Sequence, residues 1–132
     1  MPNMSEKNYQ FYGIDGDKVG SKVEYYLVEN KVEELGNFSK NVINALESIK
    51  DIVINNDGKV IFCAGDSILF AGIFNDEKCS KMLNIFLVAT GCTASMGVGN
   101  TSLQTYLALK LAKVKGGGRI AYYHSIEEED RG

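Results

Sequence analysis

Residues Ile61–Ile73 read IFCAGDSILFAGI. The apolar runs Val60–Ala64 and Ile68–Ala71 flank Gly65-Asp66, and a Gly-Asp pair between two apolar strands is a two-residue hairpin loop. The hairpin tip, Gly65 to Ser67, therefore presents a carboxylate where two buried strands meet water. Turn chemistry alone accounts for an isolated Asp in such a place. A second acidic strand end changes the reading: residues 11–17 are FYGIDGD. If that first strand lies beside the strand entering the hairpin, as in a ferredoxin-like split pattern, Asp15 and Asp66 converge. Adjacent carboxylates are unstable unless a proton or a cation separates them.

The rest of the chain reads as the frame for that meeting. Residues 8–14 alternate as a strand, with Asp15 on the face of Tyr9, Phe11 and Gly13. Helical spacing runs from Val19 to about Ile49, with Gly36-Asn37 expected to divide it into two helices. Asn56-Asp57-Gly58 turns into the hairpin. Asn75-Asp76 caps a third helix that Gly91 ends, and residues 93–98 form a strand. A fourth helix follows with Leu103, Leu107, Leu111 and Val114 as its apolar stripe and Lys110 and Lys113 beside it. Gly116-Gly117-Gly118 stops that helix before a last strand over 119–123. The order β-α-α-β-β-α-β-α-β predicts an α+β fold, a mostly antiparallel sheet with helices on one face.

At 132 residues with 45% hydrophobic content, the chain is expected to be one domain over 1–132, with an ordered core over 8–123 and an acidic tail over 124–132. The net charge of −3 and scattered Lys and Arg give no footprint for a long nucleic acid. Three cysteines without metal-type spacing, no apolar run of membrane-span length and no signal-like start predict a reduced, cytoplasmic protein without membrane contact.

Two strand-end carboxylates are the minimum that Mg²⁺ (or Mn²⁺) requires, since such ions keep waters and take substrate phosphates as further ligands. Asp15 and Asp66 are the candidate catalytic and metal residues, with the Gly16 carbonyl and Asp17 as further ligands. Asp17 is equally placed to cap the following helix. Asp17, Lys18, Val19 and Gly20 open that helix, where free N–H groups and the positive dipole end suit phosphate. Lys113 and Arg119 are candidates to neutralise the outer phosphates. DGDKVG imitates the start of a calcium-binding loop, but Tyr26 stands where that loop needs a bidentate Glu. There is no Walker-type phosphate loop, and the single His124 assembles no triad.

FYGIDGD, VIFCAGDSILFAGIF, CTASMGVGN and YLALKLAKVKGGGRIAYY resemble, in order, four blocks of the palm shared by GGDEF diguanylate cyclases, class III nucleotidyl cyclases and type III CRISPR polymerases. As one bare palm, the chain most resembles the minimal CRISPR polymerases. That resemblance implies synthesis of cyclic oligonucleotide signals from nucleoside triphosphates in anti-phage defence. It carries the first metal aspartate onto Asp15, the neighbouring carbonyl onto Gly16, the GGDEF or GGDD signature onto Ala64-Gly65-Asp66-Ser67, and the phosphate-contacting lysine onto Lys113. Ser67 departs from the pattern by replacing a second acid; class III cyclases also lack one.

The leading expectation is a Mg²⁺-dependent nucleotidyltransferase that cyclises NTPs, ATP first. It is expected to act as a homo-oligomer with facing sites and to signal to an effector that senses the ring. The alternatives are an inactive palm that binds a nucleotide as a sensor, and a plain interaction domain of the same fold. Base-reading residues are expected on the first two helices near Tyr25, Asn37 and Asn41.

Overall fold

The computed structural model describes residues 9–123; His124 and the acidic tail lie outside the described residues. The elements follow the predicted order: β1 (Gln10–Gly16), α1 (Val19–Val28), α2 (Val32–Asn55), β2 (Lys59–Ala64), β3 (Ser67–Gly72), α3 (Asp76–Thr90), β4 (Ala94–Gly99), α4 (Ser102–Val114) and β5 (Ile120–Tyr122). They form one sheet in the order β2-β3-β1-β4-β5. Only the β4–β5 pair is parallel. No helix among the described residues is long and apolar enough to cross a membrane.

The two-residue turn forms as read, with Gly65 in the left-handed region at φ 59° and Gly65-Asp66 alone between β2 and β3, but only β3 is the buried strand expected: β2 is the sheet edge, and its Ile61 and Phe62 are largely exposed. The hairpin's partner strand also differs from expectation. β1 pairs with β3, the strand leaving the hairpin, and not with β2. Asp15 pairs with Ser67, and the Gly16 amide donates to the Asp66 carbonyl at 3.1 Å. The two acidic strand ends therefore still meet, because a two-residue loop puts both hairpin strands within one residue of its tip.

One sheet face carries Tyr12, Ile14, Ile68, Phe70, Met96 and Val98, all at most 1% exposed. α2 and α3 cover it through Phe38, Leu46, Ile49, Met82 and Phe86. The Tyr12 and Phe70 rings stack at 5.1 Å. Burying such large side chains contributes roughly 1.5–3 kcal/mol each.

The expectation that all helices share one face is corrected by α4, which lies on the other. A Cβ at Gly97 would stand 2.3 Å from the Leu109 nitrogen, and one at Gly99 would stand 2.7 Å from Gln104 Cβ. Glycine lets the helix backbone rest directly on the strands. Close approach also reverses the expected stripe. Thr105, Ala108 and Ala112 are buried, while Leu103, Leu107 and Val114 are exposed. Only small side chains fit under a helix seated this low.

The first helix boundary also moves. The chain breaks at residues 29–31, where Asn30 takes φ 58° and its amide donates to the Leu27 carbonyl at 3.1 Å. Gly36 and Asn37 continue α2. An Asn in the left-handed region ends the helix there, and Gly36 sits where even an added Cβ would touch nothing.

Candidate active site

The end of β1 delivers two carboxylates, Asp15 and Asp17, and the hairpin tip a third, Asp66. Asp15 accepts a hydrogen bond from the Ser67 hydroxyl and pairs with Lys113 at 3.0 Å. Asp17 is nearly buried and accepts from Thr93 Oγ1 at 2.7 Å, Ser95 Oγ at 2.8 Å, Lys113 Nζ at 2.8 Å and the Gly118 amide at 2.8 Å. Burial pushes its carboxyl upward, but the bonds from Lys113, Thr93, Ser95 and Gly118 outweigh that and hold it below the usual carboxylate range.

Asp17 does not cap α1. Lys18 takes that position at φ 58° with no side-chain cap bond, so the first-turn N–H groups of α1 have no side chain closing them.

Asp66 is in a different state. Burial first and the neighbouring Asp15 second raise its carboxyl above the ordinary value. Among the described residues it has no salt bridge; its backbone amide is its hydrogen-bond partner. A Cβ built on Gly16 would lie 2.7 Å from Val19 Cγ2 and 2.8 Å from Phe86 Cζ, with Asp66 Oδ2 at 3.0 Å, so something must shift to admit a side chain there.

Lys113 reaches from α4 into this group. Its Nζ donates to the Gly16 carbonyl at 2.8 Å and the Asp15 carbonyl at 3.2 Å as well as to both carboxylates. Burial lowers its pKa, yet Asp17 and Asp15 more than compensate, so it stays charged. Asp15, Asp17 and Asp66 against this one ammonium leave two negative charges uncompensated.

Hard, oxygen-only donors with that surplus suit Mg²⁺ or Mn²⁺. Among the described residues no three His, Cys, Asp or Glu side chains group as a ready-made metal cage. An ion bound here would rely on Asp15, Asp66 and phosphate oxygens. The Gly16 carbonyl expected as a ligand and the Asp17 carboxylate both accept from Lys113.

Two clefts open from the site, one on each sheet face. Asp66, Gly65, Val19, Gly20, Val23 and Ile43 border one of about 450 Å³ between the hairpin tip, α1 and α2. Asp15 and Ser67 border the other, of about 350 Å³, between the hairpin and α4.

The structure thus brings Asp15, Gly16, Asp17, Asp66, Ser67 and Lys113 together, with Val19 and Gly20 on the Asp66 side. Lys18 is exposed at the α1 start. Arg119 stands apart: its Nε donates to the Gly117 carbonyl at 3.3 Å, and it borders a separate hollow with Ser80, Leu83 and Thr93. Asn37 and Asn41 line a small hollow with Tyr26 and Thr90, while Tyr25 is exposed under the Lys31 ammonium. Thr93 and Ser95 were not among the predicted site residues. Polar residues two apart in an otherwise apolar run were the available signal.

This fold is a palm of the GGDEF and nucleotidyl-cyclase kind. It matches the active GGEEF domain of a diguanylate cyclase from Vibrio cholerae with a TM-score of 0.57 at 12% identity, over 87% of this chain and 82% of that one. A Csm1-Csm4 cassette in complex with pppApA matches at TM-score 0.62 and 18% identity, over 85% of this chain and 20% of that one. The same cassette with one ATP gives 0.63 and 17%, over 86% and 20%.

No curated protein matches in sequence. The minimal CRISPR polymerase domain profile matches residues 11–123, and the chain belongs to that family.

Proposed function

We propose that the chain is a Mg²⁺- or Mn²⁺-dependent nucleotidyltransferase that joins nucleoside triphosphates, ATP first, and closes them into a cyclic di- or oligonucleotide with release of pyrophosphate. The observation that carries this reading is Asp66, which has no salt bridge among the described residues, lies beside the Asp15 carboxylate and borders a cleft that also holds the uncapped start of α1. A bound divalent ion would supply the positive charge that the attacking hydroxyl and the departing pyrophosphate both need. The chain's own residues do the rest. The first-turn N–H groups at Val19 and Gly20 receive phosphate oxygens, and Asp17 keeps Lys113 aimed at the site. The ring is a signal for an effector in anti-phage defence, and ring closure takes place between copies in a homo-oligomer.

Incubation with each NTP and Mg²⁺, followed by pyrophosphate assay and mass spectrometry, tests this. Wild type should release pyrophosphate and yield a cyclic product. Asp66→Ala should lose on the order of a thousandfold in rate, about 4 kcal/mol of barrier; full activity in that variant ends the proposal.

Ser67, where GGDEF and GGDD proteins carry an acid, supports a second reading as a nucleotide sensor. Calorimetry showing tight nucleotide binding with no turnover in wild type selects it.

A further inference from the structure

The hollow bordered by Arg119 lies outside the clefts that open from Asp15 and Asp66. It holds about 350 Å³, at the small end of the range for small-molecule sites. α3 lends it one helix face, with Ser80 and Asn84 a turn apart and Leu83 and Leu87 beside them, since residues three and four apart are neighbours on a helix. Ile120, at the start of β5, adds further apolar surface.

Three polar side chains border this hollow with donors left over. Neither the Ser80 hydroxyl nor the Asn84 amide makes a hydrogen bond among the described residues. Arg119 spends only its Nε, on the Gly117 carbonyl at 3.3 Å, and has no ion pair among the described residues. The outer fork of its guanidinium is therefore open to an oxyanion, which such a fork can hold through paired bonds. One guanidinium suits one anionic group, so a triphosphate is a poor match.

Two more bordering residues, Thr93 and Gly118, belong also to the active site. The Thr93 hydroxyl and the Gly118 amide both donate to Asp17 Oδ2, at 2.7 Å and 2.8 Å. The Asp17 amide in turn donates to the Thr93 carbonyl at 2.8 Å, and Asp17 Oδ1 accepts from Lys113 Nζ at 2.8 Å. A single carboxylate thus links the hollow to the ammonium that pairs with Asp15.

We propose that the Arg119 hollow is a regulatory site for a small organic anion, one carboxylate or phosphate on an apolar body, whose binding is transmitted to Lys113 through Asp17. The apolar body lies on Leu83, Leu87 and Ile120, the oxyanion meets the Arg119 fork, and Ser80 and Asn84 orient it. Displacement of Thr93 or Gly118 by the occupant moves Asp17, because both hold the same carboxylate oxygen. The site does not depend on the nucleotidyltransferase reading and is tested without metal or nucleotide.

The test is NMR titration of the metal-free protein with phenyl phosphate, with benzoate and with neutral benzyl alcohol. At least one of the two anions should shift the Ser80, Asn84 and Arg119 signals saturably, and the tighter of the two identifies the head group. Benzyl alcohol should bind about tenfold more weakly, as bonds to a charged partner are roughly twice as strong as neutral ones. The Lys113 Cε signal should move with the same midpoint as Arg119. Arg119→Gln, a change at an exposed side chain, should weaken the anion about tenfold and shift the Lys113 midpoint equally.

No saturable shift with either anion, equal affinity for benzyl alcohol, or wild-type affinity in Arg119→Gln overturns the proposal. So do shifts centred on Val19 and Gly20, which put the anion at the α1 start, and binding at Arg119 that leaves Lys113 unmoved. Absence of turnover with every NTP would end the nucleotidyltransferase reading and leave this titration to decide the hollow by itself.

Discussion

Asp17 and Asp66 are two carboxylates near one lysine whose surroundings drive them in opposite directions. Asp17 is held below the ordinary 3.8 by its donors, so its ionised form stabilises the fold above pH 3.8 and that contribution fades as pH falls through its lowered value. Asp66 is raised by burial and by Asp15, so at neutral pH its charge opposes folding. In EDTA at pH 7, Asp66→Asn should therefore melt above wild type and Asp17→Asn below it. Scanning calorimetry from pH 7 to 3 should show the Asp17 difference closing below 3.8. Asp17→Ala leaves Lys113 and two hydroxyls without their acceptor and should cost roughly 3 kcal/mol in urea unfolding. At this scale the sequence located the acids but not their division of labour. Asp17 looked like a ligand or a cap from position alone, and only contacts with Thr93, Ser95 and Gly118, 76 or more residues away, make it an anchor.

Among the elements, α4 is the one whose placement sequence periodicity misread. Leucine spacing identifies a helix but assumes a flat apolar floor, and β4 instead presents Gly97 and Gly99 to it. Gly97→Ala forces the helix off the sheet, because the clash is with the backbone of Thr105 and Leu109 and no rotamer relieves it. It should destabilise by about 3 kcal/mol, at the upper end of overpacking, and should pull Lys113 away from Asp17. Denaturant midpoints combined with ATP-analogue affinity check both effects. The hairpin turn, by contrast, was legible, since its loop length and residue types are local properties; the exposure of β2 was not, because only the strand order puts it at the sheet edge. The helix break was legible only as to existence, for Asn30 ends α1 where glycine was expected to do so.

For the whole molecule, a ring of two nucleotides needs two phosphodiester bonds, and each chain holds one Asp15–Asp66 pair. If copies face one another to close the ring, dilution should lower the yield of cyclic product per chain and let a linear intermediate accumulate. Product ratios by mass spectrometry across a hundredfold protein range, alongside sedimentation, test this.

The sequence by itself determined the order of elements, the two-residue tip and the two acids at strand ends, because turn chemistry, periodicity and capping act within a few residues. Which hairpin strand flanks β1, which face carries α4, and which carboxylate faces Lys113 were decided only by tertiary structure. Those outcomes depend on backbone approach and charge compensation between segments up to a hundred residues apart, and no local pattern encodes either.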